Sequence, residues 1–239
     1  TKTKSDIGRQ FFTSGISAAD VNRDGLVDIY LSNYPPLNKE NASFEQTFLN
    51  EEERNRFLEK RANSNRWLNL AGSANVLLMN RGGGRLERVP YDEELAQWHR
   101  SFQAVWADID NDGDVDVYVT NYGANRLFAN RGDGTFKDIT EAAGVGDRLW
   151  GTSAALFDFD RDGWQDIALM SLNAPRFKLF RNKMSAVRGG NRPFQFRLAG
   201  GNTSSVATPN LSNRDGIGAQ VLVVYQSGKK ILIQNQAGE

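Results

Sequence analysis

The sequence predicts an all-β fold assembled from repeated propeller-type blades, and three observations carry that prediction. Residues 15–34, 102–122 and 151–173 align with one another: a short run of small or apolar residues, an Asp-rich tract, then an alternating apolar run. The alternation has period two, as in Val115, Val117 and Val119 set against Asp114, Asp116 and Tyr118, which argues for strand. Downstream, NVLLMNRGGGRLERV at 75–89 repeats as NRLFANRGDGTFKDI at 125–139, and both read as strand, Gly-rich turn, strand.

Each unit therefore holds about four strands, the content of one propeller blade. The third unit carries a looser copy, FKLFRNK from Phe177, followed by RPFQFRL ending at Leu198. The Asp-rich tracts begin at Asp20, Asp108 and Asp158, so their spacings are 88 and 50 residues, and the first interval has a surplus of 88 − 50 = 38. That surplus falls at about 37–70, where polar helix formers dominate. It predicts a helical insertion on the first blade, packed through Phe44, Phe48, Phe57 and Leu58. A closed propeller needs about four to eight blades. Three units predict either a piece of a longer protein or a propeller completed by further chain segments or copies. The final residues, VLVVYQSGKKILIQNQAGE, read as a hairpin cut off before its domain ends.

The tracts share the form D-x-[DN]-x-D-G-x-x-D. Loop one is Asp20, Asn22, Asp24, Gly25 and Asp28; loop two is Asp108, Asp110, Asp112, Gly113 and Asp116; loop three is Asp158, Asp160, Asp162, Gly163 and Asp166. Alternate side chains at positions 1, 3 and 5 of a tight turn aim inward, glycine at position 6 permits the bend, and position 9 closes the shell. Position 7 offers a backbone carbonyl, from Leu26, Asp114 or Trp164. An all-oxygen set of this density suits Ca²⁺, which takes six to eight oxygens at about 2.3–2.6 Å, better than Mg²⁺. An EF-hand needs flanking helices and a glutamate at position 12. Here position 12 is Leu31, Val119 or Leu169, and the flanks are strand-like. About three Ca²⁺ per chain are expected, with loop one the weakest site because an amide replaces one carboxylate.

Charge supports the same reading. Lys+Arg and Asp+Glu are both 29, but the loops use 11 aspartates, leaving 29 − 11 = 18 acids against 29 bases elsewhere. Without cations the loops repel themselves. No cysteine is present, which excludes disulfides, thiolate metal sites and a Cys nucleophile. No apolar run approaches the roughly 20 residues of a membrane span, and the chain opens TKTKSDIGRQ without a signal-peptide pattern.

On these residues the three units resemble FG-GAP/VCBS repeats, the calcium-bearing blades also found in integrin α-subunit propellers. The run Asn213-Arg-Asp-Gly-Ile-Gly-Ala-Gln-Val221 is similar to the opening of an ASPIC/UnbV domain. Together they resemble a bacterial-type member of the cartilage acidic protein family. The resemblance implies blades over 1–200 and the start of an ASPIC/UnbV-like β domain, truncated, over 201–239. It also implies a secreted protein, extracellular, periplasmic or at the cell surface, acting in adhesion or recognition. Some UnbV-domain relatives accompany natural-product (enediyne-type) biosynthesis genes.

Other features read as structure. Arg131-Gly132-Asp133 falls in a Gly-rich turn. His99 is the single histidine and builds neither a multi-His site nor a supported triad. Trp98, Trp106, Trp150 and Trp164 flank the loops and read as blade packing, the alternative being an aromatic rim for a sugar. The scattered arginines accompany no nucleic-acid module. The expected function is a calcium-stabilised binding module for a protein or glycan ligand. An enzyme or accessory protein of natural-product biosynthesis, and a structural surface or assembly protein, are the alternatives. No constellation supports a named reaction.

Overall fold

The computed structural model describes residues 13–34, 51, 52, 55, 74–89, 95, 99–146, 150–184, 220–224 and 230–234. Two compact units divide the chain, Thr1–Asn191 and Arg192–Glu239. The first contains three antiparallel sheets. β1 (Thr13–Ala19), β2 (Asp28–Asn33), β3 (Val76–Asn80) and β4 (Leu86–Arg88) form the first blade in that order. β5 (Ser101–Ala107), β6 (Asp116–Asn121), β7 (Arg126–Asn130) and β8 (Phe136–Asp138) form the second. β9 (Gly151–Phe157), β10 (Asp166–Ser171) and β11 (Phe177–Phe180) form the third, with β10 central. The expected fourth strand, RPFQFRL, lies outside the described residues. In the second unit β12 (Gln220–Val224) pairs with β13 (Lys230–Gln234). The all-β reading therefore holds. Helix is confined among the described residues to the single turn α1 (Thr140–Ala143), to residues of the insertion and to Met184. Of that expected insertion at 37–70 only Glu51, Glu52 and Asn55 are described, all helical; its four packing residues lie outside. No described helix is long and apolar enough to cross a membrane.

The first two strands of every blade pair in the same register. Ala19 lies opposite Asp28, Ala107 opposite Asp116 and Phe157 opposite Asp166, so each Asp-rich loop is the hairpin joining them. β1, β5 and β9 are neighbours in turn. Their approach is close: a Cβ on Gly15 would sit 2.4 Å from the carbonyl oxygen of Phe102, so only glycine fits.

Period-two alternation sorts residues between two cores rather than between core and solvent. All six residues of β6 are buried. Val117 and Val119, with Phe128 and Phe136, pack against Val21, Tyr30, Leu77 and Met79 of the first blade. Tyr118 and Leu127 point the other way and pack with Ile167 and Leu169 of the third. A sheet covered on both faces fits the apolar run of β6, and stacked blades supply both covers. The tryptophans serve this packing. Trp106 donates from its indole nitrogen to Ser17 Oγ across the blade boundary (2.9 Å) and meets Tyr30 and Phe136 edge-on. Trp150 stacks on Tyr122 at 4.2 Å, and Trp164 is fully buried. Trp98 lies outside the described residues.

Candidate metal centres in the blade loops

One hydrogen-bond scheme is written three times. At position 1, each aspartate accepts the backbone N–H of positions 5 and 6: Asp20 from Asp24 (3.1 Å) and Gly25 (2.9 Å), Asp108 from Asp112 (3.0 Å) and Gly113 (2.8 Å), Asp158 from Asp162 (3.0 Å) and Gly163 (2.9 Å). At position 5, Asp24, Asp112 and Asp162 accept the N–H of Leu26, Asp114 and Trp164 at position 7. These bonds curl the backbone so that the acidic side chains converge. The glycines at position 6 have φ of 84°, 89° and 89°, the left-handed region where glycine is unpenalised.

Position 9 has a second task that its role as ligand does not reveal. One carboxylate oxygen accepts the N–H of position 2: Asp28 from Val21, Asp116 from Ile109, Asp166 from Phe159. The other accepts the N–H of an asparagine: Asp28 from Asn80 (2.8 Å), Asp116 from Asn130 (2.9 Å) and Asp166 from Asn182 (2.7 Å). All three aspartates are at most 2% exposed. Each therefore clamps the loop to the third strand of its own blade.

The chemistry of the assembled site is that of a hard-cation cradle. One carboxylate oxygen from each of Asp108, Asp110 and Asp112 lies within 4.8 Å of the others, and likewise for Asp158, Asp160 and Asp166. Burial, followed by the charges of neighbouring loop aspartates, raises Asp116 to about 7 and Asp108 to about 6, against their backbone N–H bonds. Burial likewise raises Asp28. Carboxylates held together against their own ionisation fit a bound divalent cation, which supplies the missing charge. Loop one differs in detail. The Asn22 amide nitrogen donates to Asp24 (3.0 Å), so its amide oxygen is not the atom facing that carboxylate. In loop three Arg181 pairs with Asp160 and lies 4.0 Å from Asp162, placing a guanidinium against two of the expected ligands.

Two sets of residues escaped the sequence reading. The first is position 4, where Arg23, Asn111 and Arg161 have φ of 59°, 55° and 61°. Asn111 carries a hint, since asparagine tolerates this region; arginine carries none. The second is the trio Asn80, Asn130 and Asn182, whose recurrence at the end of each third strand was the available signal.

The remaining candidates are structural. Arg131 and Asp133 close the β7–β8 turn on themselves: Arg131 donates to the Phe136 carbonyl and Asp133 accepts from Thr135. Burial, then Arg126, pushes His99 down to about 4, which keeps it neutral.

Blades with this register and this loop define a class, the FG-GAP-type repeat. The family model described as FG-GAP-like repeat matches residues 108–169, from the first aspartate of loop two into β10. The chain is similar to Cartilage acidic protein 1 of Xenopus tropicalis, 43% identical over 81 residues, covering 33% of this chain and 12% of that protein. It is similar also to Cartilage acidic protein 1 of Homo sapiens, 48% identical over 62 residues, covering 25% and 9%. The segment 108–169 thus matches an FG-GAP-like repeat, and part of the chain is similar to part of Cartilage acidic protein 1. The match spans about a tenth of the length of those relatives.

Proposed function

We propose that this chain is part of a calcium-stabilised β-propeller that acts outside the cell as a recognition or adhesion module for a protein or glycan. The observation that supports it most is the threefold recurrence of one loop geometry, with the carboxylates of loops two and three gathered within a cation's reach. In this reading about three Ca²⁺ bind per chain. Side chains at positions 1, 3, 5 and 9 and the carbonyls of Leu26, Asp114 and Trp164 hold them. Bound calcium neutralises buried carboxylates and ties the first two strands of each blade together, so its role is structural. Residues 201–239 are assigned to the start of an ASPIC/UnbV-like domain, in keeping with the β12–β13 hairpin.

The test is a thermal melt in calcium and in chelator, paired with metal analysis. About three Ca²⁺ per chain and a melting temperature lowered by chelator are expected. An unchanged melt with no bound metal refutes the calcium reading. Binding to extracellular-matrix proteins and glycans in calcium but not in chelator is expected of a recognition module; binding to none of them in either condition counts against it.

A further inference from the structure

The blades also repeat one another at the end away from the Asp-rich loops. There the residue after the second strand donates its backbone N–H to the residue before the first: Tyr122 to the Arg100 carbonyl (2.8 Å) in blade two, Leu172 to the Trp150 carbonyl (3.0 Å) in blade three. Tyr34, after β2, holds the place of Tyr122 in blade one. The length of the strands puts this end roughly 20 Å from the loops, at about 3.3 Å per residue. Side chains of the three blades meet here in one row. Trp150 stacks on Tyr122 at 4.2 Å, and Tyr34 packs on Phe102 at 4.7 Å. Between these two pairs the guanidinium carbon of Arg100 lies over the Tyr122 ring at 5.6 Å and over the Tyr34 ring at 6.0 Å. Every member of the row is partly exposed.

Two features of this row work against stability, and packing alone explains neither. The first is Arg100. A ring or an aliphatic chain would fill its place, whereas the guanidinium leaves Nε shut off from solvent without a hydrogen-bond partner. Its side chain forms no hydrogen bond and no ion pair among the described residues. Nε is the one nitrogen of Arg100 that is both enclosed and unpartnered, so the outer nitrogens keep the solvent side. The rings occupy the faces of the guanidinium, but its N–H donors lie in its plane. That edge fits a planar carboxylate through two parallel hydrogen bonds. The second feature is Trp150, whose φ of 59° is a left-handed value that bulky residues avoid. Its ring is therefore held at the end of the row at a conformational cost.

We propose that this row is a binding site for an acidic glycan, with a uronic-acid carboxylate on the outer nitrogens of Arg100 and sugar rings against Trp150 and the flanking tyrosines. The proposal rests on the reading of the chain as a recognition module and names the ligand class of that module. A cation set between rings calls for an anion with apolar surface beside it, and a pyranose carries apolar C–H faces next to its carboxylate. The phenol groups of Tyr34 and Tyr122 each supply a hydroxyl that donates and accepts, as sugar hydroxyls do. The backbone favours a sugar over a peptide. The N–H groups of Tyr122 and Leu172 are already paired within their own blades, so they offer no main-chain ladder to an extended peptide.

The test is calorimetric titration of the full chain, in calcium, with an oligomer of glucuronic acid. The matching neutral glucose oligomer and a polyglutamate peptide of equal charge are the comparisons. The oligouronate is expected to bind at least about ten-fold more tightly than either. Arg100→Met keeps the length of the side chain and removes its charge, and should weaken oligouronate binding by about ten-fold or more. Its melting temperature should hold or rise, because a buried donor without a partner is removed. Trp150→Gly suits the left-handed backbone and removes only the ring, so it should keep the fold and weaken binding several-fold. Oligouronate binding that survives both variants overturns the site and leaves the recognition reading standing. Binding through calcium at the loops would give that result, since neither variant touches them. Equal binding of the neutral oligomer overturns the carboxylate contact, and tighter binding of polyglutamate overturns the glycan class. A lowered melting temperature with unchanged binding in Arg100→Met assigns Arg100 to packing and overturns the proposal. No binding of the oligouronate by the wild-type chain also overturns it, while the recognition reading is decided separately by binding to matrix proteins and other glycans.

Discussion

Asp116 is 2% exposed and accepts two backbone N–H groups, from Ile109 and Asn130, at 2.9 Å each. Without metal, burial raises it from 3.8 to about 7, a difference worth about 4 kcal/mol between its protonated and charged forms. The unfolded chain releases the proton near pH 3.8, whereas the metal-free fold holds it to about pH 7. Between those values the fold binds the proton and the unfolded chain does not, so metal-free stability falls as pH rises. Asp116→Asn removes that titration. It also leaves one buried N–H without its acceptor, a loss of about 1–3 kcal/mol at every pH. Urea unfolding in chelator at pH 5 and pH 8 measures the slope. The wild-type protein is expected to lose several kcal/mol across that interval. The variant is expected to lose less, by up to about 2.6 kcal/mol over that interval, with Asp108 and Asp28 supplying the residual slope. In calcium at pH 8 the order reverses and the variant is the less stable. Equal slopes for the two proteins in chelator would refute the argument that loop two stores buried charge.

Three further outcomes follow from the same geometry. Calcium affinity should fall as pH drops below about 7, because Asp116 and Asp108 must release protons to bind; calorimetry in buffers of different ionisation enthalpy reads the proton release. Single-loop variants titrated with calcium should place loop one as the weakest site, since Asn22 turns its amide nitrogen toward Asp24; tightest binding at loop one refutes this. Asn130→Ala removes donors to Val21 and Val115 and the acceptor for Gly132, and should cost about 2–4 kcal/mol by urea unfolding. Asn80→Ala removes the matching acceptor for Gly82 and a donor to the exposed Val27 carbonyl but no described link to another blade, so it should lose less, about 1–2 kcal/mol, and equal losses would contradict the cross-blade role.

The blades and loops were legible in the sequence because both are written in local patterns. Alternation at β6, the Gly-rich turns at 81–84 and 131–134 and the aspartate spacing each lie within a few residues of chain. Local hydrogen bonding enforces them: the N–H groups of positions 5, 6 and 7 have no choice but the carboxylates beside them. The strands and loop positions inferred from residues 108–119 are found in place, in the same register in all three blades.

What local pattern does not carry is which groups meet across a distance. Nothing at Asp28 announces that its second oxygen will take the N–H of Asn80, 52 residues onward. Tyr118 and Val119 are adjacent in the chain and buried in different cores, a distinction that exists only once blades stand on both sides of β6. The double use of position 9, as ligand candidate and as clamp, arises the same way. The sequence by itself determined the repeat, the strands and the donor chemistry of the loops, because periodicity and turn stereochemistry are short-range. The tertiary structure alone decided how loop is joined to loop, since the links from Arg23 to Asp114 and from Asn130 to Val21 form between groups brought together by the packing of one sheet on the next.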